Sequence, residues 1–581
     1  MNILNKERLE KESRRNFHLN FSPMYAMFVW SIIFAIAVCI SPKANAEEIE
    51  EVVVVAQQVK TVKADPLKNT SLIRVLLPAH TWTAGGEGAF QGYNERGAQT
   101  VHTKVFKNGL PANLPGSAWY DFGTDLATGQ EIKVISGANS VVYGSGSIAG
   151  TVLIKDVIEP GVTTTLGTQQ HKMFTIAPSD WIQFSKLHIN QDSARNDNTE
   201  RDSYRNQNAK FNYNVQDFTI AMDWTDYNYG YDNCYDENFS QSNNCVQDGQ
   251  KYNVGVSNEY FTLGRTHDKA EYFTDGKSSY WNESSTDYLR VGDQLDLSEK
   301  LQVGYGVDAS HEQYKTATGD HSRDNYGAYL NINADFAMKY NFGFRLGNED
   351  QNAMRFGLEQ GPFFFNVGTS YRRPTLYELN GDSYVSANLD LKPEEAVGYE
   401  IGFGVLSIFR YEFEEAIEYT PGFNTDVTTS ETVTDPETGE TTVITTTEQI
   451  WTPPSYYNTG SYETQGLRYT QQFGAFKVGI SATDTDQARV PKYMSVLGWN
   501  ESFGSHEFDI TFRGQFNRIP GPYDGDELED LLNLSFRYIK TFDNDTDLAL
   551  SIDNVLDEQV EVLPGYDNRG RQIMLTVQKK W

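Results

Sequence analysis

The chain of 581 residues is poor in cysteine, with 3, and in basic residues, with 48 Lys+Arg against 79 Asp+Glu and a formal net charge of −31. So few cysteines exclude a small disulfide-dense scaffold. The basic deficit excludes nucleic acid as a partner, because its phosphates must be met by Lys and Arg. Long apolar runs are missing too. The longest, Met24–Ile40, is short of the ~20 residues that span a bilayer as a helix, which excludes a polytopic helical membrane protein. The 9 His are scattered without paired ligand spacing and the 9 Met are unclustered, against a histidine metal centre or a thioether copper site. No Ser/His/Asp constellation can be placed, so no enzyme is expected.

What is abundant is aromatic: 34 Tyr, 33 Phe and 9 Trp, with 47 Gly. Aromatics favour strands and glycine punctuates turns. A mean hydropathy of −0.54 has a soluble look, yet a membrane β-barrel hides inside such an average, since only alternate strand residues face lipid. The N-terminus carries Lys6, Arg8, Lys11, Arg14 and Arg15, then the apolar run, then Ala44-Asn45-Ala46, the pattern of an export signal cut after Ala46. Export places Cys234 and Cys245 in an oxidising compartment, where a disulfide is the default. In the chain-entropy model, closing so short a loop stabilises by roughly 3 kcal/mol.

Three regions follow the signal. Glu50-Glu51-Val52-Val53-Val54-Val55-Ala56 is either the first strand of a domain or a detached strand offered to a partner's sheet edge. Residues 61–158 hold short β-branched strands parted by glycines, including the turn Asn108-Gly109, as expected of a small α+β domain. From about 160 onward, apolar residues alternate with polar ones. Phe336, Met338, Tyr340, Phe342, Phe344 and Leu346 share one face, and Ile573, Leu575, Val577 and Trp581 another. A soluble sandwich alternates in the same way. Many such strands behind an export signal, ending on an aromatic, point instead to an outer-membrane barrel with a polar lumen.

These residues resemble the TonB-dependent outer-membrane receptors over nearly the whole exported chain. Glu50–Ala56 looks like their TonB box. Val134-Ile135-Ser136-Gly137 through Ile154 is similar to their plug-closing pattern, with Tyr143, Gly144, Gly146 and Gly150 at its matched positions. Tyr371-Arg372-Arg373-Pro374-Thr375-Leu376-Tyr377-Glu378-Leu379, Asn388–Glu394 and Tyr399-Glu400-Ile401-Gly402 resemble barrel boxes in family order. The resemblance implies an all-β membrane protein: a 22-stranded antiparallel barrel with a small α+β plug in its lumen. Its divisions would be a signal at 1–46, TonB box and linker at 47–60, plug at 61–158 and barrel at 159–581. Implied partners are TonB, through Glu51, Val52, Val53, Val54, Val55 and Ala56, the outer-membrane bilayer, and a small ligand, a ferric siderophore or cobalamin-like chelate. No cofactor is required. Two departures bear on the plug: Ser136 stands where the family has Arg, and Gln91 replaces another unless Arg96-Gly97 fills that role. Family plugs pair such arginines with barrel carboxylates, so the plug is expected to be loosened or its release altered. A barrel that docks a surface partner without importing anything is the alternative.

Candidate ligand groups are Tyr227, Tyr229 and Tyr231 around Asp232, since Tyr joins a rigid ring to a hydroxyl; a girdle at the membrane interface is the equal reading. Arg372 and Arg373 are candidates for an anion. Asp192, Asp197 and Asp202 are a candidate structural Ca²⁺ set, with a solvated polar loop as the plainer account. Thr375–Ala387 contains no His, where haem receptors resembling this chain carry one. The acidic balance favours a cationic or metal-bearing cargo over an acidic catecholate. The long acidic, Thr-rich stretch 420–454 is expected outside the cell, as a loop or a protruding hairpin.

Overall fold

The computed structural model describes residues 59–581 apart from 66, 68–79, 84–85, 118, 194–200, 236–239, 349–350, 435–440, 486, 488–489 and 519–527. The export signal, the TonB-box residues and Asp197 lie outside the described residues.

Twenty-two antiparallel strands close into one barrel, sealed where the last, Gln572–Lys580, pairs with the first, Gly161–Gly167. Closure is what lipid demands, because an open sheet edge would leave backbone N–H and C=O groups without partners. The period-two pattern sets which face is which. In Lys339–Gly347, Phe342 and Leu346 are exposed on the outer wall while Asn341 and Arg345 are buried in the lumen. In the last strand Ile573, Leu575 and Val577 face out, and Gln572, Thr576 and Gln578 face in. The alternation read from Phe336 is interrupted: 336–338 is a turn, and the strand begins at Lys339. Among the described residues no helix is long and apolar enough to cross a membrane; the crossing is made by strands.

The two ends differ. At one end consecutive strands join through short turns such as 216–217, 404–405 and 474–475; at the other the connections run to 373–393, 415–461 and 554–571. Short periplasmic turns and long outer loops are the rule for such barrels, so the second end faces outward. The longest connection carries the antiparallel hairpin Phe423–Thr434 with Thr441–Thr452, on a stem that pairs Ile417–Thr420 with Ser455–Asn458.

The lumen holds the plug. Its five-stranded sheet runs Val59–Ala64, Gln130–Ser136, Gly150–Asp156, Thr103–Lys107, Leu110–Pro111, with one parallel pair between Thr103–Lys107 and Gly150–Asp156. Tyr93, Val105, Phe122, Ile132, Val152 and Ile154 form its core. Asn108 and Gly109 both have positive φ, the backbone a two-residue hairpin turn needs. The Asn108 amide donates to Asp156 at 2.8 Å and its carbonyl oxygen accepts the Asp156 N–H at 2.9 Å.

Plug and barrel meet through buried charge. Arg96, 1 % exposed, pairs with Glu400 and donates to the Tyr411 hydroxyl at 3.0 Å, with its guanidinium 5.3 Å from the Phe409 ring centre. Gly97 beside it is equally constrained: a Cβ there would lie 2.4 Å from a Thr483 methyl. Arg96 thus fills the arginine role, and Gln91 need not. At Ser136 the plug still makes a polar contact. The serine hydroxyl donates to Glu95 at 2.8 Å, and the guanidinium that the plug lacks comes from the barrel, Arg468 to Glu95 at 2.6 Å. Two further groups complete the contact. His102 meets Glu394 at 2.9 Å, and Glu394 is shared with Arg372. Lys107 and Asp125 of the plug meet Asp223 and Lys251 of the barrel, and Asp156 meets Lys210 at 2.6 Å. Such pairs add little net stability, since desolvation offsets attraction, but removing one partner strands a buried charge at a cost of about 3–5 kcal/mol. They fix position.

Two outcomes test this packing. A Cβ on Gly123 would sit 2.0 Å from the Ala89 carbonyl oxygen, a backbone atom that cannot swing aside. Gly123→Ala should therefore lower plug stability by about 1–3 kcal/mol, in the range for overpacking, seen by calorimetry as an earlier plug transition with the barrel transition unmoved. Burial alone would raise the Glu95 carboxyl, but Arg468 and Arg96, with the Tyr93 hydroxyl, hold it down to about 2. A depressed folded-state value stabilises above the unfolded value of about 4.3, and that contribution is lost as pH falls from there toward 2. Plug protection from protease should persist at pH 5 and fail below about pH 3. Arg468→Met should move the failure upward toward neutral pH.

Candidate functional site

A cavity of about 420 Å³ opens between the outer end of the plug and the barrel wall. The plug contributes Trp119, Tyr120 and Asp121 from a Pro/Gly-rich loop; Trp119 is 40 % exposed and stacks edge-on to Phe90 at 5.5 Å. The barrel contributes Tyr227 and Tyr229 from Phe218–Tyr231, Asn253 from Cys245–Ser257, Asp268 from Phe261–Thr274, and Tyr280 from Lys277–Ser298. The connection 373–393 adds Tyr377 and Asp382, and 415–461 adds Tyr456.

Each group is placed by local rules. Tyr227, Tyr229 and Tyr231 alternate along one strand and so share a face. That face is the lumen: Tyr227 is 4 % exposed and packs with Leu126 of the plug, Met173 and Tyr204. The girdle reading is thereby corrected. Tyr227 and Tyr229 line the cavity, whereas Tyr231 and Asp232 do not. Tyr377 sits on the short helix Leu376–Asn380, started by a capping box in which Thr375 and Glu378 satisfy each other's backbone N–H. Its ring meets Tyr456 at 5.8 Å, and Tyr272 meets Tyr280 at 5.5 Å, so aromatic faces run round the mouth.

Charge is distributed unevenly. Lys251 lies in the cavity wall but donates to Thr124 at 2.6 Å and Asp125 at 3.0 Å, and Lys107 is held by Asp125 and Asp223. Asp121 uses one oxygen to accept the N–H groups of Gln91 at 2.9 Å and Gly123 at 2.7 Å. Burial raises its carboxyl to about 6, against the opposing pull of those two N–H groups.

The remaining candidates fall elsewhere. Arg372 is 3 % exposed and spent on Glu378 and Glu394; it ties barrel to plug through His102 rather than meeting an anion in this cavity. Arg373 is 6 % exposed, and its backbone N–H donates to Ser145 of the plug. Cys234 and Cys245 form a disulfide at the base of the outer loop after Tyr231, where Asp232 accepts from Ser193 at 2.5 Å. Asp192 pairs with Arg201 at 3.0 Å, Asp202 is buried on the neighbouring strand, and among the described residues no group of three His, Cys, Asp or Glu could hold a metal ion. Gly137, Gly144 and Gly146 all have positive φ, and Tyr143 packs on Phe106 at 5.5 Å. They shape the plug. Trp119, Asp121, Asn253, Asp268, Tyr377 and Tyr456 escaped the sequence reading; only Trp119-Tyr120-Asp121, two rings and a carboxylate after Pro115-Gly116-Ser117, carried a local signal.

Known proteins give the same architecture. Residues 46–151 match the model of the TonB-dependent receptor plug domain, and 162–555 that of the TonB-dependent receptor-like β-barrel. The fold is similar to the siderophore receptor PirA from Acinetobacter baumannii, at 14 % identity and TM-score 0.65, covering 91 % of this chain and 100 % of that one. The FrpB iron transporter from Neisseria meningitidis is similar at 13 % identity and TM-score 0.66, again over 91 % and 100 %. The copper transporter OprC is similar at 13 % and 0.63, over 93 % and 100 %. No match was found among curated proteins. The chain belongs to the TonB-dependent receptors of the Gram-negative outer membrane.

Proposed function

We propose that the protein actively imports a scarce metal chelate, a ferric siderophore or cobalamin-like complex, with energy relayed by TonB through Glu51–Ala56. The observation that carries this reading is a ligand-sized cavity between the outer end of an ion-paired plug and the wall of a closed barrel. Its volume falls within the range of small-molecule sites, about 300–1,000 Å³. A cavity in that position takes ligand from the medium while the plug bars free diffusion. The similar folds of a siderophore receptor, an iron transporter and a copper transporter support the cargo class.

A strand offered at Val52–Val55 would bind TonB by main-chain hydrogen bonds, and proline removes one donor. Val53→Pro should lower radioiron uptake, presented as a ferric tris-hydroxamate, to the background of cells lacking TonB. Binding of the chelate to the cell surface should be unchanged. Uptake equal to the parent would contradict the reading.

A further inference from the structure

The cavity wall has acceptors to spare and few donors. Asn253 is 5 % exposed; its amide N–H donates to Thr266 at 3.2 Å, and its carbonyl oxygen, buried, has no partner among the described residues. The Asp268 carboxylate lies opposite Lys251 in register, and that ammonium donates instead to Thr124 at 2.6 Å and Asp125 at 3.0 Å. Among the described residues Asp121 accepts both its N–H groups, from Gln91 and Gly123, on one oxygen and leaves the other uncommitted. Against these stand, among the described residues, two lysines already held by plug and barrel carboxylates and no arginine in the cavity lining. A buried acceptor without a donor is costly, so a ligand that supplies N–H groups gains by entering. Aromatic faces favour cations as well. A polyanion gains nothing here: it would be desolvated beside Asp121 and Asp268, with every ammonium in the wall already neutralised.

Resting on the import reading, we propose that the cavity selects a net-cationic metal chelate bearing ammonium or amide N–H donors, recognised by Asp268, Asp121 and the Asn253 carbonyl, and rejects tris-catecholate polyanions. Asp121, with a carboxyl at about 6, is faced by Asp268, by Asp125 of its own loop and by Lys251. It is charged at pH 7.5 and is neutralised as pH falls through 6, so capture of a cation weakens on acidification.

The test uses the full mature protein in detergent and three probes of similar size. These are a ferric tris-hydroxamate with a free amine (one net positive charge), a neutral cyclic ferric tris-hydroxamate, and a ferric tris-catecholate (three net negative charges). Titration calorimetry at pH 7.5 should rank the cationic probe at least tenfold above the neutral one, with no catecholate binding. Asp268→Asn, which keeps the shape, should cut cationic affinity about tenfold and leave the neutral probe within twofold. If Asp268→Asn fails to fold, as judged by gel mobility before and after boiling, the affinity of the parent at pH 7.5 and 5.5 replaces it: a fall supports the proposal and no change overturns it. Equal or tighter catecholate binding overturns charge selection, as does silence of all three probes on a folded barrel. Neither result touches import, which whole-cell uptake judges separately. The expected ranking together with TonB-independent uptake would keep this inference and defeat the import reading.

Discussion

The lumen of this barrel must be polar, and the rest of the molecule follows from that constraint. Lipid takes the apolar face of every strand, leaving Asn, Gln, Thr, Arg and Asp side chains to point inward. A plug cannot be glued into such a lumen by hydrophobic contact alone. It is held by ion pairs instead: Arg96 with Glu400, Glu95 with Arg468, His102 with Glu394, and the set of Lys107, Asp125, Asp156, Lys210, Asp223 and Lys251. These contacts specify one position and register more than they add stability. An attachment made of ion pairs can also be undone by exchange with water or other partners.

The cavity is coupled to that attachment. Tyr120 lines it and donates to Asp125, and Asp125 binds Lys251, whose ammonium sits 5.5 Å from the Tyr120 ring centre. Whatever fills the cavity therefore touches groups that hold the plug against Phe218–Tyr231 and Cys245–Ser257. The same commitment of Lys107 and Lys251 to plug carboxylates strips the cavity of free positive charge. Holding the plug and setting the charge of the cavity are served by one set of residues.

The barrel was legible in the sequence because its physics is periodic. Alternation in Lys339–Gly347 and Gln572–Lys580 assigned faces that the structure keeps, and the motif order implied both plug and strand count. The role of Arg96 was readable as an option, since Glu95-Arg96-Gly97 sits in the plug. Its exchange partner was not. Arg468 lies 373 residues from Glu95, and no local pattern marks a barrel arginine that stands in for Ser136. The cavity was half-legible for the same reason. Tyr227 and Tyr229 announced themselves as a cluster, while Asn253, Asp268, Tyr377 and Tyr456 come from four separate segments brought together by closure. Arg372 looked free because its partners Glu378 and Glu394 lie across a helix and a loop, where spacing carries no information about distance.

The central claim is that ligand sits between the plug's outer loop and the barrel wall. An experimental structure with a captured cationic ferric hydroxamate tests it most directly. The account predicts the chelate between Trp119 and Tyr377, with its N–H groups turned toward Asp268 and Asn253 and the plug still in the lumen. A chelate bound only on the outer loops, or resting against arginines elsewhere in the lumen, would contradict it.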